Sequence, residues 1–398
     1  MKILVVSQFY YPEQFRINDI CEELVRRDCE VTVLTGLPNY PEGKVNKEYK
    51  FFGKRKENIN GVNIIRTFEI GRRKGKIFRI LNYISYMCSA SIKALLMKEQ
   101  FDLIYVYQLS PITLAIPAIV YKKKHKDKKI HLYCLDLWPE SLLIDNFEKS
   151  GAIYKVIKKI SKWVYSKCDY IYVTSKGFIN YFKEELELNK IVKYLPQYAE
   201  KKYEKFEYKI NRVSNFVFTG NIGKAQSVET IIKAANELKN RDDMIIHIVG
   251  DGSSLKECQE LVKKMNLTNV IFYGRKSIEE VQEYYKMADA MLITLSNNEI
   301  ISKTIPGKMQ SYMMAGRPII GAINGETQNI IEEAKCGYCV SAEDYKALAG
   351  AIKKFKELSN DEKRKMAENS YQYYKDNFTK DQYMVKLFNF FKEDNRNV

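Results

Sequence analysis

The feature that most constrains this chain is an alternation, run twice, of short apolar strands with amphipathic helices. In the first half, Lys2–Ser7, Glu30–Thr35, Val62–Thr67, Leu103–Tyr107, Ile130–Leu135 and Tyr170–Thr174 read as strands. Between them lie helical patterns at Asn18–Arg27, Phe78–Lys98, Leu114–Lys124 and Ile153–Ser166. Strands with apolar residues on both faces, separated by helices, require a parallel sheet covered on both sides. The segment Pro196–Arg212, charged, Tyr-rich and poor in aliphatic residues, interrupts this rhythm and marks a boundary. The alternation then restarts at Asn215–Thr219 and runs to the strand Gly337–Val340, and Tyr345–Phe391 reads as helical throughout.

The expected fold is therefore α/β, with two Rossmann-like domains over residues 1–199 and 200–379 and a helical tail. In open sheets of this kind, ligands bind outside the carboxyl ends of the strands. The length of 398 residues suits two such domains. The start, MKILVVSQFYYPE, reads as a buried strand rather than an export signal. The longest nearly apolar stretch, Pro111–Tyr121, is too short to cross a bilayer. These features predict a cytoplasmic chain. Eight Cys are scattered, and Cys336-Gly-Tyr-Cys339 has no second pair to complete a zinc site, so buried thiols are expected.

The net charge is +16, and its distribution is uneven. Residues 1–199 hold 34 Lys and Arg against 21 Asp and Glu; the remainder holds 31 against 28. An anionic partner is thus expected on the first half. The stretch Arg72–Lys98 carries seven basic residues and no acid. Its Ile77, Ile80, Leu81, Ile84, Cys88, Ile92 and Leu95 recur at helical spacing, a pattern suited to an anionic membrane surface. A core-packed helix with a solvated basic flank is the competing reading. Lys122–Lys129, with six Lys around Asp127, adds to the basic character.

No metal constellation is visible, and the chain lacks the G-x-x-x-x-G-K-[ST] phosphate loop. A departing diphosphate would then be held by helix N-termini and Lys or Arg. Three strand-end turns in the second half fit this task. They are Gly220-Asn-Ile-Gly223 followed by Lys224 and Gln226, the Val249-Gly250-Asp-Gly252 turn, and Ile301–Lys308 with Lys303, Thr304, Pro306 and Gly307. In the first half, Asp136 and Glu140 follow the strand Ile130–Leu135, and the aromatic loop Gln8–Arg16 holds Tyr11, Glu13 and Arg16. Two other readings share these features: a nucleotide-sugar epimerase of the same architecture, and a basic nucleic-acid-binding protein, for which no recognition motif is present.

The motifs SQFYYPE, LDLWPES, FTGNIGKAQSVETI, IVGDG, IPGKMQSYMMAGRPIIG and GETQNIIEEAKCGYCV appear in this order across nearly the whole chain. The sequence resembles the retaining family 4 glycosyltransferases of the GT-B fold, in particular a bacterial capsule and O-antigen branch that includes N-acetyl-L-fucosamine transferases. The resemblance implies two facing domains with a cleft and a final helix, about 380–398, returning to the first domain. It also implies metal-independent, retaining transfer from a UDP-sugar, held by the second domain, to a polyprenyl-linked acceptor on the first. The enzyme would be peripheral on the inner face of the cell membrane and would need no cofactor and no nucleic acid. By position, Gly220, Asn221, Gly223, Lys224, Gln226, Gly250, Lys303, Thr304, Pro306, Gly307, Lys308, Ser311 and Glu326 would hold the donor. Asp136 and Lys308 would act in the reaction; Tyr11, Glu13, Arg16 and Glu140 would face the acceptor. Relatives commonly have an Arg and a Lys where this chain has Asn221 and Gln226, and paired Glu where it has Lys303 and Ser311.

Overall fold

The computed structural model describes residues 1–50, 53–73, 75–144, 147–199 and 205–395. They divide into two compact units, Met1–Leu195 with Met384 onward, and Pro196–Tyr383. The predicted boundary segment Pro196–Arg212 spans this junction, and its residues 200–204 lie outside the described residues, as do 396–398 of the predicted returning helix.

The first unit is built on eight strands: β1 Lys2–Val6, β2 Glu30–Thr35, β3 Lys56–Ile59, β4 Val62–Arg66, β5 Leu103–Gln108, β6 Lys129–Cys134, β7 Tyr170–Val173 and β8 Ile191–Tyr194. Their order in the sheet is β3-β4-β2-β1-β5-β6-β7-β8. All pairs are parallel except β3 with β4, an antiparallel hairpin that turns at Asn60-Gly61. Neither β3 nor β8 was expected: β3 is polar and half-exposed at an edge, and β8 carries two Lys nearby. The strand order reverses between β1 and β5, so a crevice opens at their carboxyl ends.

The second unit has β9 Ser214–Thr219, β10 Met244–Val249, β11 Val270–Gly274, β12 Ala290–Thr294, β13 Ile319–Ala322 and β14 Gly337–Val340. The sheet is wholly parallel in the order β11-β10-β9-β12-β13-β14, the doubly wound arrangement with its switch point between β9 and β12. Phe216, Phe218, Ile246, Ile248, Leu292 and Ile320 bury the side of this sheet against the helices Val228–Glu237 and Tyr345–Glu357.

The tail is three helices rather than one: Tyr345–Glu357, Asn360–Asn377 and Lys380–Asn395. The first break is a capping box, in which Ser359 Oγ accepts from the Glu362 amide and Glu362 accepts from Ser359 N. In the last helix, Phe390 stacks on Tyr172 at 4.9 Å and Phe391 meets Tyr105 and His131 edge-on at 5.4 and 5.1 Å. These aromatic contacts tie the end of the chain to the first sheet.

Candidate active site

The predicted donor residues gather at the carboxyl edge of the second sheet, around its switch point. Gly220 ends β9 with φ of +131°, and Gly250 ends β10 with φ of +152°. A Cβ on Gly250 would lie 1.8 Å from the Gly220 carbonyl oxygen, so the two turns approach as only glycine permits. The helix Gly307–Met314 docks beside them, because the Tyr312 hydroxyl accepts from Thr219 N at 3.0 Å and donates to Thr219 O at 3.1 Å.

This docking carries Lys308 under the Gly220 turn. Its Nζ is fully buried, sits 3.8 Å from the centre of the Phe218 ring, and has no hydrogen-bond partner among the described residues. A Cβ on Gly220 would be 3.1 Å from that Nζ. The Phe218 ring face offers it a cation–π contact. Burial lowers the Lys308 ammonium from its ordinary value to about 7. The described residues therefore leave the charge of this ammonium, beside two glycine turns, unmatched.

The other predicted residues are placed differently. Lys303 ends the short helix Glu299–Ser302 and is ion-paired with Glu299 at 2.9 Å, so part of its charge is already matched. Lys224 is exposed. Asn221 donates to Gln226 Oε1 at 3.1 Å, so this pair is satisfied within its own turn. Thr304 donates to Ile301 O, and its carbonyl accepts from Thr327 Oγ1 at 3.1 Å. Pro306 caps the Lys308 helix and Gly307 opens it. Ser311 is buried on that helix. Glu326 opens the helix Glu326–Ala334, which reaches the Ser302–Thr304 turn through Gly325, where a Cβ would lie 2.2 Å from Ser302 O.

At the carboxyl edge of the first sheet, Asp136 follows β6. Its Oδ2 accepts from Ser110 Oγ at 2.7 Å, and Ser110 Oγ in turn accepts from Trp138 Nε1 at 3.1 Å. Gln108 Nε2 fixes the Asp136 carbonyl at 2.9 Å. Burial pushes the Asp136 carboxyl above its usual range, against the pull of its Ser110 hydrogen bonds. Ser110, not expected from sequence, ends up beside Asp136 because β5 and β6 are neighbours in the sheet.

Glu13 is buried rather than open to a ligand. Its Oε1 accepts from the backbone amides of Asn39 and Tyr40 at 2.8 and 2.6 Å, and burial raises its carboxyl to about 7. Beside it, Glu69 is fully buried, accepts from Asn39 and Asn82, and is held well above the carboxylate range by desolvation. Glu140 is also buried, accepting from Tyr154 OH at 2.6 Å. Both Glu13 and Glu140 thus hold loops in place. Tyr11 is exposed, and Arg16 is half-buried at the start of the helix Arg16–Arg26. A hollow of about 730 Å³ lined by Lys2, Glu30, Lys56, Glu57, Glu99 and Asp102 lies at the opposite, amino edge of this sheet and holds none of the predicted residues.

The basic helix runs over Lys76–Leu96, shorter than the predicted Arg72–Lys98; Lys74 lies outside the described residues. Asn82, Tyr86, Ala90 and Ala94 form its buried face. The apolar stripe read from the sequence faces outward instead: Ile77 is 73% exposed, and Ile80, Leu81, Ile84, Ile92 and Leu95 are exposed with it. A core-packed stripe is therefore excluded for these residues. No helix among the described residues is long and apolar enough to cross a membrane, and no group of three or more His, Cys, Asp or Glu among them could hold a metal ion.

Two doubly wound units in this order have the architecture of the GT-B glycosyltransferases. The family described as "Glycosyl transferases group 1" matches residues 200–373, nearly the whole second unit, and the chain is similar to that family there. It is 21% identical to the putative colanic acid biosynthesis glycosyl transferase WcaI of Escherichia coli K12, over 89% of this chain and 91% of that one. It is 25% identical to the probable glycosyltransferase WbjE of Pseudomonas aeruginosa over 56% of this chain, a match that spans 58% of that relative's length. Among solved structures, Anabaena HepE in complex with UDP and glucose superposes with a TM-score of 0.70 at 13% identity, over 98% of this chain and 99% of that one.

Proposed function

We propose that this enzyme moves a sugar, in the class of N-acetyl amino sugars, from a UDP-sugar to a polyprenyl-linked acceptor during bacterial surface polysaccharide synthesis, with retention and without a metal. The observation that carries the reading is the buried, unpartnered Lys308 Nζ beneath the Gly220 turn. A diphosphate supplies the missing counter-charge, and the glycine amides and the start of the Lys308 helix add donors. The complex of HepE with UDP and glucose, and the colanic acid pathway named for WcaI, support the donor class and the setting. The fucosamine-transferase branch named by the sequence motifs remains the specific form of this proposal.

In the reaction, the bond from the anomeric carbon to the diphosphate oxygen breaks while an acceptor hydroxyl oxygen bonds that carbon on the same face. The hydroxyl proton passes to the departing diphosphate. Lys308 stabilises the charge that grows on the leaving group. Asp136, held by Ser110, is assigned to the developing positive charge at the sugar carbon. The second unit takes the donor and the first the acceptor, with Tyr11 and Arg16 as acceptor contacts.

The exposed apolar stripe of the helix Lys76–Leu96, flanked by Arg72, Arg73, Lys76 and Arg79, supports docking on the anionic inner face of the membrane, where such an acceptor resides. The test is a thermal-shift screen of UDP, GDP, ADP and TDP with and without magnesium, followed by transfer assays with UDP-N-acetyl amino sugars. A metal-independent rise in Tm with UDP supports the reading. A response to another nucleotide alone, or one that requires magnesium, overturns the donor assignment.

A further inference from the structure

The helix Ala152–Lys167 carries five Lys and no acidic residue. Its inward face is committed: Tyr154, Ser161, Val164 and Tyr165 are buried, with Tyr154 OH on Glu140 and Tyr165 OH on Gln108 Oε1 at 3.3 Å. Its outward face is apolar. Ile153 is 59% exposed, Val156 55% and Trp163 41%; spaced three and seven residues apart they share one face of the helix, while Ile160 between them leans onto the core. Exposed Lys155 and Lys159 border this face. Large apolar side chains in a row on a basic, acid-free helix have no use in water.

The position of this helix is as telling as its composition. The helix Ile116–Lys124 packs between it and the helix Lys76–Leu96, so all three cover the same side of the first sheet. Lys76 Nζ lies 5.9 Å from the ring of Phe147, on the segment that leads into Ala152–Lys167, and so joins the starts of the two outer helices. The middle helix ends in Lys122, Lys123 and Lys124.

We infer that the outer face of Ala152–Lys167 is a second lipid-docking element, and that the enzyme rests on an anionic phospholipid surface through two basic helices side by side. The occupant is set by charge: an acid-free cationic helix with an aliphatic and Trp crest matches anionic headgroups above acyl chains. The inference rests on the membrane reading above and extends it to a surface that Arg72–Lys98 does not include. Through Tyr154 and Glu140, the same helix also grips the loop that carries Asp136, so lipid contact lies one hydrogen bond from the catalytic loop.

The chain has two Trp. Trp138 is 9% exposed within the Asp136 loop, so Trp163 reports on this face. The full-length protein is mixed with vesicles of phosphatidylglycerol and phosphatidylcholine, with and without brominated acyl chains. Trp emission should shift to the blue and be quenched by the brominated anionic vesicles, and Trp163→Phe should remove the quenching. Ile153→Ser with Val156→Ser should weaken partitioning about tenfold while leaving transfer to a short soluble acceptor unchanged. Sedimentation with vesicles that leaves Trp163 unquenched and is insensitive to the double substitution overturns this inference and leaves the first helix as the only anchor. No sedimentation with anionic vesicles overturns both. A blue shift without vesicles, accompanied by a doubled mass in solution, assigns the face to a second copy of the chain and also overturns the inference.

Discussion

The carboxyl edges of the two sheets solve opposite problems. In the first unit, each carboxyl accepts from donors of the fold: Glu13 takes two backbone amides, Glu69 takes two Asn side chains on Oε1 while its Oε2 is left unpartnered, and Asp136 takes a Ser hydroxyl. In the second, a buried ammonium is given an aromatic face and no acceptor. A group that the fold satisfies by itself holds the scaffold; a charged one that it leaves wholly unsatisfied is a candidate for completion by a ligand. The difference also separates two residue sets that look alike in sequence. Glu13 and Glu140 each accept through Oε1, although Glu140 Oε2 is buried without a partner, whereas the single nitrogen of the Lys308 ammonium has no hydrogen-bond partner among the described residues.

The largest expected effect follows directly. Lys308→Ala should lower kcat/KM by about 10²–10³-fold, the range for loss of one group that stabilises a leaving anion. UDP affinity, measured by calorimetry, should fall with it. Near-normal turnover would mean that exposed Lys224 or the Lys303–Glu299 pair carries the diphosphate instead, and the contrast between the two edges would collapse. Next in size is Asp136→Ala, expected to reduce kcat by about 10²-fold with KM for the donor little changed. Ser110→Ala should reproduce part of that loss by freeing the carboxylate. Unchanged turnover in Asp136→Ala would remove it from the reaction and leave the first edge purely structural.

How much of this was legible in the sequence depended on whether a property is local. Alternating β-rich runs and amphipathic helices gave both sheets except β3, which is polar and half-exposed, and β8, a four-residue edge strand broken by Lys193, too short to stand out. Strand-end turns pointed to the Gly220, Gly250 and Lys308 segments, which the fold brings together. The state of each side chain was not legible, because it depends on neighbours far along the chain. Glu13 is closed by residues 39 and 40, Glu140 by Tyr154, and Asp136 by Ser110. Helical periodicity placed Ile77, Ile80 and Ile84 on one face but could not say which face met the core. Asn82, Tyr86, Ala90 and Ala94 took that role because Asn82 reaches buried Glu69 and the small residues allow close packing.

A milder test adds charge instead of removing it. Asn221 and Gln226 bond each other where relatives of the resembled family carry Arg and Lys. If Lys308 alone supplies the cation, Asn221→Arg with Gln226→Lys should tighten UDP binding by about tenfold at low salt, with the gain fading as salt rises. No gain, with the pair still exposed, would place the diphosphate away from this turn and narrow the anion position to Lys308 and Gly250.

The smallest effect is also the most direct check of the contrast, because the two edges should respond to pH with opposite sign. Glu13 has its carboxyl raised to about 7, with buried Glu69 and the Arg66 guanidinium among its neighbours. Between its ordinary value of 4.5 and 7, the folded chain holds more protons at this site than the unfolded chain. Its contribution to stability is therefore full below 4.5 and is lost as pH rises to 7. Lys308 is lowered from 10.5 to about 7, so between those values the folded chain holds fewer protons than the unfolded chain. Its burial costs stability most below pH 7, and that cost is relieved as pH rises toward 10.5. Glu13→Gln should accordingly gain on the parent protein from pH 5 to 7, by about 2–4 °C in Tm for each kcal/mol involved. Lys308→Met should be more stable than the parent at pH 6, and its advantage should shrink toward pH 10. UDP should reverse the second trend in the parent only, since a bound diphosphate draws a proton onto Lys308 and its affinity weakens as pH climbs above 7. Parallel pH slopes in the two variants would show that the second edge, like the first, supplies its own counter-charge.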